Sequence, residues 1–185
     1  MGKRRAVVFE KFPTDPDLFR EDVRPLVDDL PERYGSEEWS AVLLTNELHR
    51  HLGIYSIIGA KMGIRAREIL NASLDDLEVV SYAASEPPLS CLNDGLQAAT
   101  GASLGRGTIR VETNALAAAA VFVKKDKRLR LEVKKEIIEQ IRADIRHAIE
   151  KFGNLTPVYF AEVRRLSLNY WRDLDRKMIF DELSE

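Results

Sequence analysis

Leu48-His49-Arg50-His51-Leu52-Gly53-Ile54-Tyr55-Ser56-Ile57-Ile58-Gly59-Ala60-Lys61-Met62-Gly63 decides how the chain is read: two of its three histidines stand directly before its most regular apolar helix pattern. Apolar residues fall at Ile54, Ile57, Ile58, Met62, Ala66, Ile69 and Leu70, the spacing by three and four that gives a helix one buried stripe. Gly53, Gly59 and Gly63 interrupt it. A glycine inside a helix costs about 1 kcal/mol against alanine, so three of them predict another backbone or a ligand packed closely on that side. Residues two apart on a helix point about 200° from each other, so His49 and His51 can share one ligand only from turn or extended backbone. The alternative is one solvent-facing ring and one hydrogen-bonded, half-buried ring.

Outward from that stretch, 185 residues with 45% hydrophobic and 31% charged suit one soluble domain with a real core. A net charge of −2 gives no general drive toward nucleic acid or anionic lipid. The sign is uneven, with ten acidic against four basic residues from Glu10 to Glu38, and seven basic against two acidic from Lys124 to Lys135. Cys91 is the single cysteine, so an intrachain disulfide is excluded and the cytoplasm is the expected compartment. The basic start Met1 to Arg5 is followed by only four apolar residues, too few for an export signal, and no run approaches membrane-spanning length.

Residues 1–36 carry Pro13, Pro16, Pro25 and Pro31 between acidic clusters and predict an arm of short helical turns. Ser36 with Glu37 and Glu38 predicts a capped helix from about Glu37 to Thr45, and the central helix follows from near His51 to Leu70. Leu77 to Ala84 reads as a strand, broken by Glu86-Pro87-Pro88. A short helix capped by Ser90 ends at Gly101, and Thr108 to Thr113 alternates as a strand does. The alanine-rich stretch Leu116 to Ala120 has helical preference, but with Val121 to Val123 and Arg128 to Val133 around Asp126 a hairpin is expected. Lys134 to Phe152 is amphipathic helix, stopped at Gly153, and Thr156-Pro157 opens another that is more apolar than a free end requires. The order predicts an α+β fold: a helix-strand-helix-three-strand core over residues 37–153 with a mixed sheet, and a C-terminal helical extension over residues 154–185. Tight connections favour antiparallel neighbours for the last three strands.

Two blocks, HRHLGIYSIIGAKMG and PLSCLNDGLQAATGASLGRGTI, together resemble the FmdE/FwdE family of formylmethanofuran dehydrogenase proteins over roughly the middle half of the chain. The matching positions are His49, His51, Met62, Gly63, Cys91, Asp94, Gln97, Thr100, Gly101, Gly105 and Gly107. The resemblance implies a metal site where the histidine block meets Cys91, with zinc or another divalent transition metal on His49, His51 and Cys91. Two family cysteines are replaced, by Gly53 and by Ala102, and the paired-cysteine C-terminal zinc module is absent. The chain thus reads as a reduced relative whose remaining donors, imidazole and thiolate, suit zinc with an open fourth position. Gly53, Asn93, Asp94, Gln97 and Ala102 are the expected lining of that pocket, although Asp94 and Thr100 also fit plain capping roles.

With one sulfur, the chain lacks the cysteine set of an iron-sulfur protein and cannot be the redox subunit of a molybdenum or tungsten oxidoreductase complex. The glycine-rich turn after Gly101 lacks the lysine of a phosphate loop. Three functions compete: a metal-binding accessory or regulatory protein, expected to be non-enzymatic and to work with such a complex; a small zinc enzyme with Asp94 or Glu47 as base and a small molecule at the metal; and a metal-free homodimeric module. The apolar C-terminal helix makes a homodimer the expected state.

Overall fold

The computed structural model describes residues 7–184, so the basic start, within Met1 to Ala6, and Glu185 lie outside the described residues. The prolines divide the arm as predicted, into single 3-10 turns at Pro16–Leu18 and Arg24–Leu26 and a short helix α1 (Asp29–Tyr34). Helix α2 (Ser36–His49) begins on Ser36 itself, which makes no side-chain cap; Gly35, at φ +89°, turns the chain into it. Its C-terminal flank is Arg50, in the left-handed region at φ 67°, a conformation that side chains with a Cβ rarely adopt.

Helix α3 (Ile54–Ile69) departs from the single stripe its spacing predicts, because every residue from Ile54 to Ile64 is buried. It lies between two cores. Ile54, Ile58, Met62 and Ala66 share one with Val79, Phe122 and Leu131 of the sheet, whereas Ile57, Ala60 and Ile64 share the other with Leu30, Trp39, Val42 and Trp171. Each such aliphatic side chain contributes about 1.5–3 kcal/mol on burial. Helix α4 (Leu92–Thr100) lies against α3 with backbone touching backbone, as the glycines predict. A Cβ at Gly59 would stand 2.1 Å from the Leu92 carbonyl oxygen, and one at Gly95 would stand 2.2 Å from that of Ser56. Ser90 is not the cap of α4; it lies in a 3-10 turn, Leu89–Cys91, that precedes the helix.

Five strands form one mixed sheet in the order β2-β1-β3-β4-β5: β1 (Glu78–Ser81), β2 (Ile109–Val111), β3 (Ala119–Lys124), β4 (Lys127–Val133) and β5 (Phe180–Ser184). The hairpin of β3 and β4 forms as expected, with Phe122 opposite Leu129. Pairing of β2 departs from expectation: it runs parallel to β1, and β1 separates it from β3. The β1-α4-β2 connection is a helical crossover, which a parallel neighbour requires. Along β4, Leu129, Leu131 and Val133 are buried while Arg128, Arg130 and Glu132 are not, so the core lies on one face.

Helices α5 (Lys135–Phe152) and α6 (Pro157–Asp173) follow, the latter capped by Thr156, whose hydroxyl accepts the Tyr159 N–H. The stretch after α6 is not helical throughout; β5 pairs antiparallel with β4, and Ile179 and Phe180 are buried. A buried ionic cluster ties this return to α2 and α3. Lys61, with no exposed surface, donates to Glu38 at 2.6 Å and lies 4.1 Å from the Tyr34 ring centre. Arg176 donates to the other Glu38 oxygen at 2.9 Å and to Glu68 at 2.6 Å. Burial pulls the Lys61 pKa down, and Glu38 opposes that pull.

Candidate functional site

The left-handed turn at Arg50 reverses the chain between α2 and α3 and settles the question of the two histidines. His49 is the last residue of α2 and His51 lies beyond the turn, so their rings come together at 4.2 Å between centres, tilted by 39°. Asn46 locks this corner: its side-chain oxygen accepts the Gly53 N–H at 3.2 Å and the Ser56 hydroxyl at 3.0 Å, while its amide donates to the Val42 carbonyl.

Asp94, in the first turn of α4, faces His49, and the His49 Nδ1 to Asp94 Oδ2 distance is 2.7 Å. An ionised carboxylate only accepts hydrogen bonds, so the proton of a neutral ring resides on Nδ1 and the lone pair on Nε2. That Nε2 is buried and has no hydrogen-bond partner among the described residues. A Cβ at Gly53 would lie 3.2 Å from it and 2.9 Å from the Ser56 hydroxyl oxygen, so the absence of a side chain at Gly53 leaves the space beside this edge of the ring.

His49, Cys91, Asn93, Asp94 and Gln97 line one cavity of about 350 Å³, together with Ser85, Ser90 and the apolar Leu104 and Ile109. Cys91 is half-buried, and burial, with the Asp94 charge adding to it, pushes its thiol pKa up to about 11. Asn93 and Gln97 are largely committed to structure. Asn93 accepts the Ser81 hydroxyl and donates to the Ala84 carbonyl, and Gln97 accepts the Leu104 N–H. Ala102 is buried in the sheet-side core and lies outside that lining. His51 opens instead on a neighbouring cleft, with its ring edge 5.8 Å from Phe160. Although part of His51 reaches solvent, burial and the adjoining His49 lower its pKa. Glu47 also lines that second cleft, and Asp94 is already engaged by His49.

Zinc chemistry suits imidazole and thiolate donors, and His49 has the carboxylate-oriented ring that metal-binding histidines commonly show. Among the described residues, however, no group of three or more His, Cys, Asp or Glu side chains is placed to hold a metal ion. The structure therefore offers one oriented nitrogen and two neighbouring donor types, and the donors are not gathered in advance. Sequence patterns had not flagged Asn46, Ser56 or the Ser81–Asn93 bond, since these act through a turn that only the fold creates.

Fold and site together define a small α+β protein with a carboxylate-oriented histidine beside a cavity walled by α4, β2 and the loops around them. Residues 48–172 match the model of the family described as FmdE, molybdenum formylmethanofuran dehydrogenase operon, and the chain belongs to that family. A similar solved structure is a tungsten formylmethanofuran dehydrogenase E-subunit (FmdE)-like protein from Syntrophus aciditrophicus, at 17% identity and a TM-score of 0.49, covering 80% of this chain and 71% of that one. No curated protein matches the chain. No helix among the described residues is long and apolar enough to cross a membrane.

Proposed function

We propose that this chain is a non-redox accessory or regulatory protein of its family, and that it takes a divalent transition metal ion, zinc first, at His49. The observation that carries this reading is the buried His49 Nε2, unpartnered while Nδ1 is fixed by Asp94. An imidazole nitrogen left without a partner in a buried site loses about 1–3 kcal/mol, which a metal or a ligand hydrogen bond recovers. His51 and Cys91 would have to move toward that nitrogen to complete the donor set, and the bound ion would supply Lewis acidity to a small molecule in the adjoining cavity. Asp94 acts as the outer partner that holds the ring, which leaves it unsuited as the free base of an enzyme. With one cysteine the chain has no cluster to carry electrons, which supports work beside a molybdenum or tungsten oxidoreductase rather than as its redox subunit.

Exposed Leu155 and Val158 near the start of α6 support self-association as part of the same reading, checked by the mass in solution. The test of the metal reading is zinc analysis and calorimetric titration of the purified chain, of Cys91→Ser and of His51→Ala. Binding near one equivalent that weakens in both variants supports it. No binding by the wild-type chain ends it and leaves the cavity as a metal-free ligand site.

A further inference from the structure

A cleft of about 940 Å³ lies on the other side of His51, where residues 9–23 of the arm cover the end of α2 and the start of α6. Its volume falls in the range of small-molecule sites, and its walls are chiefly aromatic and aliphatic, including Phe19, Leu52, Phe160 and Trp171. Trp171 is 1% exposed and its indole N–H has no acceptor among the described residues. Phe160, by contrast, is 41% exposed despite its place in this wall.

The charges around the cleft differ in their commitments. Arg164 is held by both oxygens of Asp22, at 2.5 and 2.7 Å, and is neutralised there. Arg50 has no ion pair among the described residues. It also occupies the left-handed turn, where glycine or asparagine would be less strained, so the chain keeps a long cationic side chain at a position that disfavours it. Glu47, one helical turn earlier on the same rim, opposes any dense negative charge such as a phosphate.

We propose that this cleft is a second binding site, for a monocarboxylate with a bulky apolar body: the carboxylate meets Arg50 and the body lies against Phe160 and Trp171. A guanidinium matches a carboxylate with two parallel hydrogen bonds, and the aromatic wall takes the apolar remainder. The cleft shares His51 with the proposed metal site, so it is tested on metal-stripped protein, where its failure and that of the metal reading are distinguishable.

Trp171 lines this wall and Trp39, the chain's other tryptophan, stacks on it at 5.1 Å between ring centres, so intrinsic fluorescence reports on the cleft. The full chain is titrated with 2-naphthylacetate by fluorescence and calorimetry, beside the uncharged 2-naphthaleneethanol. Saturable binding is expected, about tenfold weaker for the alcohol and about tenfold weaker for the acid in Arg50→Gly. Glycine adopts the turn without strain, so this variant removes the charge while keeping the fold, and Arg50→Gln is its companion. Phe160→Ala weakens both ligands alike, and Arg110→Gln, at the exposed β2 edge, changes neither. Absence of saturable binding, or equal affinities for acid and alcohol, or undiminished binding in both Arg50 variants, overturns the proposal.

Discussion

Two groups of polar side chains lie near opposite ends of α2, one around Glu38 in its first turn and one at its last residue, His49, and they are satisfied to different degrees. In the cluster around Glu38, both carboxylate oxygens are taken, by Lys61 and by Arg176, and Arg176 uses all three of its nitrogens. At the His49 corner, Asp94 engages one ring nitrogen and the other is left buried without a partner. A completed network fixes structure, since removal of any member strands a charge in low dielectric. A half-completed one orients a group toward something yet to arrive. Five buried side-chain atoms lack partners among the described residues, but those of Arg67 and Glu68 belong to groups bonded elsewhere through their other atoms, and Trp171 lines the second cleft. His49 alone combines a carboxylate-fixed ring, an open nitrogen and a place in the wall of the cavity that holds Cys91.

The comparison predicts that stability and ligand binding separate between the two groups. Glu38→Gln strands Lys61 and Arg176 and is expected to lower unfolding free energy by about 3–5 kcal/mol, read from denaturant curves. A loss below about 1 kcal/mol would mean that the cluster does not hold the C-terminal return in place. Gly95→Ala drives a methyl group into the α3 backbone and is expected to lower stability by about 1–3 kcal/mol through overpacking, again by denaturant unfolding.

The helical glycines were legible in the sequence because a glycine inside an apolar helix pattern has few explanations other than close approach. Gly59 and Gly63 bear that reading out, since a Cβ at either would collide with α4, whereas Gly95, on the α4 side of the same contact, carried no such signal in the sequence. The hairpin around Asp126 was legible because its two apolar runs flank a short charged turn. The parallel β1-β2 pair was not, since tight connections say nothing about which earlier strand lies at an edge. Strand β5 was hidden because its charged residues, Asp181 and Glu182, mask the apolar Ile179-Phe180 pair that docks. For the site, the pairing of His49 with Asp94 spans 45 residues and depends on how α2 and α4 meet, which periodicity along either helix does not encode. Gly53 and Ala102, grouped by sequence as pocket lining, part company in the fold: one lies beside the Cδ2–Nε2 edge of the His49 ring and the other in the core.

Asp94→Asn keeps the size of the side chain but loses the charge that fixes the ring, so zinc affinity is expected to fall about 10–100-fold in calorimetric titration, with little change in the unfolding midpoint. An unchanged affinity would make the Asp94 contact purely structural. The smallest effect concerns Cys91. Its thiol pKa near 11 leaves little thiolate at neutral pH, so alkylation by iodoacetamide should be slow and rise about tenfold per pH unit between about pH 7 and 9. The sign follows from a folded pKa above the ordinary thiol value: the reactive anion accumulates only as pH climbs toward it. A rate already at its plateau by about pH 8 would place the thiol in a different environment.

The central claim is that the open nitrogen of His49 receives the ligand, and zinc titration of His49→Ala beside the wild-type chain and Glu38→Gln tests it most directly. His49→Ala is expected to lose zinc binding while keeping its unfolding midpoint, whereas Glu38→Gln loses stability yet, at denaturant-free conditions where it is folded, keeps its affinity. Zinc bound by His49→Ala as tightly as by the wild-type chain would contradict the account.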